Sequence, residues 1–457
     1  MTVRRREIVE PRWGLRPSER DPHERGNSGA GARREGACPP LNRDEDRERC
    51  AKYDDEAAHG VLSAGGAEYL TPETATRQIA VVGSGTVFLS GISYYTHRLA
   101  TELAGVATVS VILMRKLLPA AFYPGRQRVG ADLASLEYAG DIAAFDGVDW
   151  ASPASALKAA RFLRRRRPAL VTFQWWTATT LHWYLFLALI TRSFGGKVVI
   201  EFHEVQDVGE EQIGWVRRYT NAMLPLLVRM SVAIVVHSEF DRALIAQRYR
   251  LRERPVALIP HGPYDQYGPG PRERPAGPKR ILYFGVIRPF KGVEDLVAAF
   301  ELLPDDYTLT IVGEVWEGWQ LPLDAARASP RAHDVTIIDR YVRDDEVPAL
   351  FDAADIVVLP YHRSSSSGPL QIAMSRGLPV VVTAVGGLVE ATREYRGAVL
   401  VRPQAPADLA AGITRAADSV GQTFETGHSW ETTSRLYAEL YDTIAAPRGT
   451  VGRSTEC

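Results

Sequence analysis

Cysteine is scarce in this chain, and its placement excludes two kinds of site. The 457 residues include 3 cysteines, Cys38, Cys50 and Cys457, and each falls in a segment that we expect to be a tail. A disulfide framework or a cysteine-ligated metal site in the folded body is therefore excluded. The same usage is typical of proteins in a reducing compartment.

Long hydrophobic runs and an export signal are also lacking. The longest apolar stretch, Leu181 to Ile190, is too short to cross a bilayer, so we predict a buried helix there. Residues Met1 to Trp13 are charged throughout and lack the apolar core of an export signal. The sequence therefore predicts a cytoplasmic protein.

An excess of charge of one sign is missing too. The formal net charge is -1, which gives the chain no overall attraction to nucleic acid. The basic run Arg164 to Arg167 follows a helical stretch, so it is most simply a positive helix end that complements the helix dipole. A role in binding nucleic acid is the less favoured alternative, and we expect no nucleic-acid partner.

What the sequence does contain is an α/β pattern in two parts. Short β-branched runs alternate with helical stretches from Arg77 onward, which predicts parallel sheets covered on both faces. The segment Gly262 to Pro278 interrupts this alternation with 5 prolines and 4 glycines. The predicted parts are a charged, disordered tail (1–76), a first doubly wound domain (77–262), a linker (263–278), a second doubly wound domain (279–426), a terminal helical segment (427–447) and a tail (448–457).

A serine-rich turn before a predicted helix is the first candidate phosphate site. Ser364 to Ser367 and Gly368 precede an apolar helix, so backbone N–H groups and the positive end of its dipole would favour an oxyanion. Beyond this helix, Pro379 to Thr383 is predicted to be a buried strand that ends near Gly386, where open α/β sheets bind ligands. A surface loop is an equally good explanation of this segment alone.

A glycine turn with two cations is the second candidate. Gly285 follows the predicted strand Arg280 to Phe284, and Arg288 and Lys291 lie on the turn before an amphipathic helix. A guanidinium can bind two oxygens at once and an ammonium acts as a point charge, so the pair suits a diphosphate. Two solvated loop cations are the simpler interpretation of this segment by itself.

Together with shorter motifs, these two segments resemble the family-4 retaining glycosyltransferases over most of residues 77 to 445. The order and spacing of the motifs carry the resemblance, since no motif is specific alone. The shorter motifs are Ser90-Gly91, Phe202-His203-Glu204, His237-Ser238-Glu239, Pro260-His261-Gly262, Gly313-Glu314, Ala354-Asp355 and Ser429-Trp430-Glu431.

The resemblance implies a GT-B fold, in which two Rossmann-like domains face each other across a cleft and the last helix crosses back to the first domain. It implies a retaining, metal-independent hexosyltransferase of glycan biosynthesis. The donor would be a nucleotide diphosphate sugar, used as substrate without any cofactor. The acceptor would be a glycan or a lipid-linked molecule.

The resemblance also implies roles for single residues. Arg288 and Lys291 would neutralise the diphosphate, and His203 would lie near the donor sugar, although a histidine bonded to a backbone carbonyl is the alternative. The donor-binding residues would be Gly285, Ser366, Ser367, Gly368, Pro369, Leu370 and Glu390. The acceptor-side residues would be Ser90, Gly91, Tyr94 and Tyr95. No metal ligands are expected, because the Asp-x-Asp pair Asp44 and Asp46 falls in the predicted tail.

The chain departs from this family in its donor loop. Ser364 and Ile372 stand where two glutamates are usual, and Val286 stands where an arginine is usual. Glu390 or Gln371 is a candidate for part of the missing role. These changes motivate an alternative, a catalytically inactive nucleotide-sugar-binding protein of the same fold.

A dehydrogenase and a membrane-associated protein are two further interpretations of the sequence. A nicotinamide-dependent dehydrogenase fails, because Phe88 stands at the third glycine of a fingerprint that would begin at Gly83. Peripheral contact with the inner face of a membrane is compatible with Met114 to Pro124, which mixes cations with apolar and aromatic groups. A loop that covers the acceptor cleft explains that segment at least as well.

Overall fold

The structure is a computed structural model that describes residues 77–85, 91–117, 136–205, 213–270, 277–316 and 318–445. The predicted tails, Ser90 and most of the segment Met114 to Pro124 lie outside the described residues. Among the described residues, no helix is long and apolar enough to span a membrane.

The first half of the described chain forms a sheet of seven parallel strands in the order β3-β2-β1-β4-β5-β6-β7. The strands are β1 (Gln78–Ser84), β2 (Thr108–Lys116), β3 (Ala143–Asp149), β4 (Leu170–Trp175), β5 (Lys197–Phe202), β6 (Ala233–Val236) and β7 (Val256–Leu258). The strand order reverses between β1 and β4, and ligands bind at such a point in doubly wound folds.

Helices cover both faces of this sheet. They are α1 (Gly91–Ala104), α2 (Pro153–Arg166), α3 (Leu181–Ser193), α4 (Gly214–Met230) and α5 (Glu239–Arg248). The long apolar stretch forms α3, whose Leu181, Tyr184 and Leu187 are buried, but Leu189 is 59% exposed. The stretch is therefore a surface helix with one buried face rather than a fully buried helix.

The second half forms a sheet of six parallel strands in the order β10-β9-β8-β11-β12-β13. The strands are β8 (Lys279–Phe284), β9 (Tyr307–Val312), β10 (Val335–Ile338), β11 (Ile356–Leu359), β12 (Val380–Thr383) and β13 (Ala398–Val401). Its helices are α6 (Val293–Phe300), α7 (Leu321–Ala328), α8 (Val347–Asp352), α9 (Gly368–Ser375), α10 (Leu388–Ala391) and α11 (Pro406–Ala417). The two sheets confirm the predicted architecture of two doubly wound, Rossmann-like domains.

Strand β3 was missed by the sequence analysis. Among the described residues it lies at the edge of the first sheet, pairs only with β2, and carries Asp146, Gly147 and Asp149 with mostly half-exposed positions. The β-branched apolar runs that predict the other strands mark strands buried on both faces. An edge strand with one partner does not need such a run.

The last helix, α12 (Trp430–Ala445), packs against α1 of the first half. The Trp430 indole donates a hydrogen bond to the Pro263 carbonyl at 2.7 Å. Near the other end of the helix, Asp442 forms an ion pair with Arg77 at 2.7 Å. The chain therefore connects its two halves both through residues 263–278 and through α12.

Candidate active site

A cavity of about 720 Å³ lies where the carboxyl ends of both sheets meet. Its walls come from both halves of the chain. From the first half it is lined by Gly91, Ile92, Tyr94, Trp176, His203, Glu204 and His261, among others. From the second half it is lined by Gly285, Arg288, Lys291, Trp316, Tyr361, Ser364, Ser365, Ser366, Gly368 and Pro369, among others.

The two predicted cations lie together on one wall. Arg288 precedes a short 3-10 turn, Pro289–Lys291, between β8 and α6, and Lys291 is the last residue of that turn. The Lys291 ammonium is 3.7 Å from the centre of the Tyr361 ring, and the Arg288 guanidinium is 5.4 Å from that of Trp316. Aromatic faces attract cations and shield them from water. Both positive groups are thus held at the cavity wall.

The ammonium of Lys291 is easier to deprotonate than an ordinary lysine. Burial lowers its pKa to about 8, with Arg288 acting in the same direction and the Glu204 carboxylate opposing. Without a bound anion, Lys291 therefore loses its positive charge as pH rises through about 8, within a range accessible to binding assays.

This pKa predicts how donor binding depends on pH. The affinity for UDP, GDP or ADP should fall as pH rises above about 8, because only the ammonium form attracts a diphosphate. The Lys291→Arg variant should lose this decline, because a guanidinium stays charged at every pH used. Calorimetric titration at pH 7 and pH 9 measures the effect. Identical pH profiles for the two proteins would show that Lys291 does not contact the anion.

The serine turn, Ser364 to Gly368, lies on the same wall, but its residues have different structural roles. Ser366 and Gly368 line the cavity at the start of α9. Ser367 instead caps α9, since its hydroxyl accepts a hydrogen bond from the Leu370 N–H at 3.3 Å and its side chain is buried. Ser367 is not among the residues that line the cavity.

Three other predicted site residues lie away from the cavity lining. Leu370 is fully buried in the core of the second half, and Tyr95 is fully buried with its hydroxyl 2.6 Å from Glu201. The carboxylate of Glu390 accepts hydrogen bonds from the backbone N–H groups of Glu239 at 2.6 Å and Phe240 at 2.8 Å. Glu390 thus caps α5 of the opposite half rather than replacing the missing donor-loop glutamates.

The cap formed by Glu390 predicts a modest effect on nucleotide affinity. Glu390→Ala removes a charged helix cap worth about 1 kcal/mol. This cap joins the two halves that together line the cavity. If the donor binds fully only while the cap holds them together, UDP, GDP or ADP should bind roughly five-fold more weakly, the fold-change that about 1 kcal/mol represents. Glu394→Ala, which removes an exposed carboxylate shortly after α10, is the matched control. Equal affinity for both variants would contradict the capping role.

Of the predicted acceptor-side residues, Ser90 lies outside the described residues. Gly91 and Tyr94 line the cavity at the start of α1. The Gly91 carbonyl accepts a hydrogen bond from the Tyr264 hydroxyl at 2.7 Å. Burial, together with Asp344, raises the pKa of the Tyr94 phenol. Tyr94 therefore stays protonated and can serve as a hydrogen-bond donor, not as a base.

His203 ends β5 at the cavity wall and belongs to a buried polar cluster. The cluster contains Glu201, His203, His237 and His261. Burial by itself would raise the pKa of Glu201, but the neighbouring histidines and Tyr95 outweigh it and the pKa lies at about 2. Burial lowers the pKa of His237 to about 4. At neutral pH the cluster therefore contains an ionised carboxylate and a neutral His237.

Several lining residues received no site role in the sequence analysis, although Glu204 and Glu314 belong to its motifs. Glu204, Glu314 and Trp316 all follow a strand of one of the sheets, and Tyr361 follows β11. Their common signal is position, because side chains just after the carboxyl ends of parallel strands face the ligand crevice. Applying that rule to each predicted strand would have found them.

The comparisons with known proteins agree with this geometry. Residues 90–262 match the family model "Glycosyl transferase 4-like domain", and residues 278–419 match "Glycosyl transferases group 1". Glycogen synthase of Mycobacterium tuberculosis is 26% identical over 395 residues, which span 79% of this chain and 93% of that protein. D-inositol 3-phosphate glycosyltransferase of an Arthrobacter species is 30% identical over 181 residues, 36% of this chain and 43% of that protein.

Solved structures share the fold. Sucrose-phosphate synthase of Thermosynechococcus elongatus superposes with a TM-score of 0.59 at 19% identity, covering 80% of this chain and 99% of that one. Anabaena HepE in complex with UDP-glucose superposes with a TM-score of 0.51 at 16% identity, covering 80% and 95%.

The fold and the two matched models define a glycosyltransferase of the GT-B type. The chain belongs to the group 1, family-4-like glycosyltransferases.

Proposed function

We propose that this protein is a retaining glycosyltransferase that transfers a hexose from a nucleotide diphosphate sugar to an acceptor held by the first half of the chain. The main support for this proposal is that Arg288, Lys291 and the start of α9 lie on one wall of a single cavity. Two cations and a helix N-terminus suit the two phosphates of such a donor.

The same wall provides a mechanism. When the bond between the sugar C1 and the β-phosphate oxygen breaks, negative charge grows on that oxygen. Arg288, Lys291 and the backbone at Gly368 are fixed before reaction, so they stabilise the departing diphosphate more than the intact donor. The acceptor hydroxyl attacks C1 from the side on which the diphosphate leaves, which retains the configuration, and its proton passes to a β-phosphate oxygen of the departing nucleoside diphosphate. These protein groups supply the positive charge at the diphosphate, so the proposal includes no metal ion there.

The relatives support the donor class without fixing its identity. Anabaena HepE was solved with UDP-glucose, and relatives by sequence carry the names glycogen synthase and GDP-mannose:glycolipid 4-beta-D-mannosyltransferase. The last name fits a lipid-linked acceptor, and peripheral contact with the inner face of a membrane would accompany such an acceptor. A cytoplasmic location belongs to the same proposal.

The second candidate function is donor binding without transfer. Ile372 lines the cavity and is nearly buried at a position where the family usually has a glutamate, and Ser364 bonds to the Ser366 carbonyl at 2.7 Å. Loss of both carboxylates removes polar contacts to the sugar and ribose.

Turnover separates the two functions. Purified protein is incubated with UDP-, GDP- and ADP-hexoses, and release of the nucleoside diphosphate is followed with and without a mixture of glycan acceptors. Transferase activity predicts release that requires Arg288 and Lys291. Tight nucleotide binding with no release from any of the donors, in the presence of acceptors, would favour the binding protein.

A further inference from the structure

The outer surface of the first half is strongly basic where three helices lie side by side. Helix α3 packs against both α2 and α4, and the three share one hydrophobic core cluster. They carry nine Lys and Arg side chains, five in α2, one in α3 and three in α4, and contain no Asp or Glu. All nine are exposed. The whole chain has 54 basic and 55 acidic residues, so this surface, which we call the α2–α4 face, departs sharply from the average.

Helix dipoles account for only part of this charge. Each helix end carries about half an elementary charge, so three carboxyl-terminal ends complement roughly one or two cations. Arg217 and Arg218 lie near the beginning of α4, where the dipole is positive and repels them. Arg161 lies one turn from Arg164 and Arg165, which places like charges side by side. None of the nine side chains forms an ion pair with an acidic residue of the described chain. A negatively charged partner outside the chain would relieve this repulsion.

Large apolar side chains are exposed on the same face, each one turn from an arginine. Residues three or four apart lie on the same side of a helix. The exposed apolar side chains are Leu157 (47%), Leu189 (59%), Trp215 (71%) and Leu226 (39%). The arginines that follow them are Arg161, Arg192, Arg218 and Arg229, respectively. The same pairing therefore recurs on all three helices.

An anionic phospholipid surface fits this mixture of side chains. Lys and Arg bind lipid phosphates, whereas leucine and tryptophan enter the boundary between headgroups and acyl chains. Helices that pack side by side about 10 Å apart form a broad surface rather than a groove that follows a single strand of nucleic acid. Duplex nucleic acid would offer phosphates to the cations but no apolar surface to the leucines. The repeated apolar and basic pairs therefore favour a bilayer.

We propose that the α2–α4 face docks on an anionic phospholipid bilayer. This face is distinct from Met114 to Pro124, the segment in which the sequence suggested membrane contact. The helices that connect parallel strands begin at the carboxyl edge of the sheet, which is the edge that borders the cavity. Trp183 and Trp215 lie near the beginnings of α3 and α4, so they are on the cavity side of the face. A lipid-linked acceptor could then reach the cavity from the bilayer, a step that rests on the proposed function.

Co-sedimentation of the whole protein with vesicles tests the proposal. Vesicles that contain phosphatidylcholine and phosphatidylglycerol are compared with vesicles of phosphatidylcholine alone. At about 0.05 M salt, we expect binding to the anionic vesicles to be at least ten-fold tighter than to the neutral ones. At about 0.5 M salt this binding should weaken at least ten-fold, because salt screens the attraction. Absence of binding to the anionic vesicles at the lower salt concentration would overturn the proposal.

A matched pair of double variants locates the surface. Arg161→Gln/Arg218→Gln removes one exposed cation from α2 and one from α4. Each cation near an anionic bilayer raises the affinity about five-fold, so this variant should bind anionic vesicles roughly 25-fold more weakly. Arg393→Gln/Arg415→Gln removes two exposed cations from the second half and should bind like the wild type. Equal binding by the two double variants would show that the α2–α4 face is not the docking surface.

Trp215→Gln distinguishes a bilayer from other polyanions. It should weaken binding to anionic vesicles about ten-fold, because the apolar ring no longer enters the interface. Its Tm should match that of the wild type, since the side chain is largely exposed. The proposal fails if Trp215→Gln binds vesicles as tightly as the wild type, or if duplex DNA or RNA binds more tightly than the vesicles at the same salt concentration. None of these assays contains a nucleotide sugar, so their failure leaves the proposed transfer reaction standing.

Discussion

Replacing Arg288 by alanine is expected to lower kcat/KM for the sugar donor by about 100- to 1,000-fold. Removal of a fixed group that stabilises developing negative charge has an effect of that size in other enzymes. The guanidinium already lies at the cavity wall, between the rings of Phe290 and Trp316. Lys291→Met should cause a loss of similar size, since it removes the other charge and retains most of the side-chain volume. Steady-state release of the nucleoside diphosphate measures both effects.

The control for this prediction is Arg327→Ala. It removes the same charge from the same half of the chain, at an exposed side chain on α7 that pairs with Asp324 at 2.9 Å. Its kcat/KM should stay within about two-fold of the wild type, because screened surface charges have little effect at a distance. An equal loss in Arg288→Ala and Arg327→Ala would mean that overall charge, not local contact, governs turnover.

Replacing Gly292 by alanine is expected to disrupt the same wall through the backbone. Gly292 follows Lys291 with φ at 62°, and an added Cβ would overlap the Pro360 carbonyl oxygen. The strain of a left-handed backbone conformation at alanine and the clash of its Cβ with the Pro360 carbonyl together should lower the free energy of unfolding by more than about 3 kcal/mol. We expect Tm to fall by roughly 6 °C or more and nucleotide binding to be lost.

The matched control isolates the clash. Gly268 has a similar φ of 67°, and no atom of the described residues would lie within 4 Å of its added Cβ. Gly268→Ala should therefore cost only the conformational strain of about 1–2 kcal/mol and keep nucleotide binding. Thermal unfolding with and without UDP, GDP or ADP measures both variants. An equal fall in Tm and equal nucleotide binding in the two variants would show that the close approach of Gly292 to Pro360 does not constrain the turn.

The sequence predicted the strands correctly where burial on both faces requires a local run of apolar residues. The short β-branched runs of the sequence coincide with strands in both sheets, because strands covered on both faces need continuous apolar runs. Arg288 and Lys291 were found for a similar reason, as cations directly after a strand and a glycine. Edge strand β3 has no continuous apolar run, so the sequence did not predict it.

The site was harder to predict where it depends on contacts between distant segments. Glu390 follows a strand in the expected way, yet its partners Glu239 and Phe240 lie in the other half of the chain. Glu201 and His237 come together only when β5 and β6 pair, as Glu201 and Val235 do. Ser367 was predicted to donate to the ligand, but its side chain is buried at the start of α9, where its hydroxyl oxygen accepts from the Leu370 N–H. One sequence gives the residue types of such clusters but not which of them meet.

The central claim is that the second half of the chain holds a diphosphate through Arg288 and Lys291. The most direct test compares the affinity of nucleoside diphosphates with that of the matching monophosphates, by calorimetry with UDP and UMP, GDP and GMP, and ADP and AMP. Wild-type protein should bind one of the diphosphates at least about 100-fold more tightly than its monophosphate, since two charge-assisted contacts are involved. The Arg288→Ala/Lys291→Ala double variant should bind the two nucleotides about equally. A double variant that stays folded and keeps the full preference for the diphosphate would contradict the account.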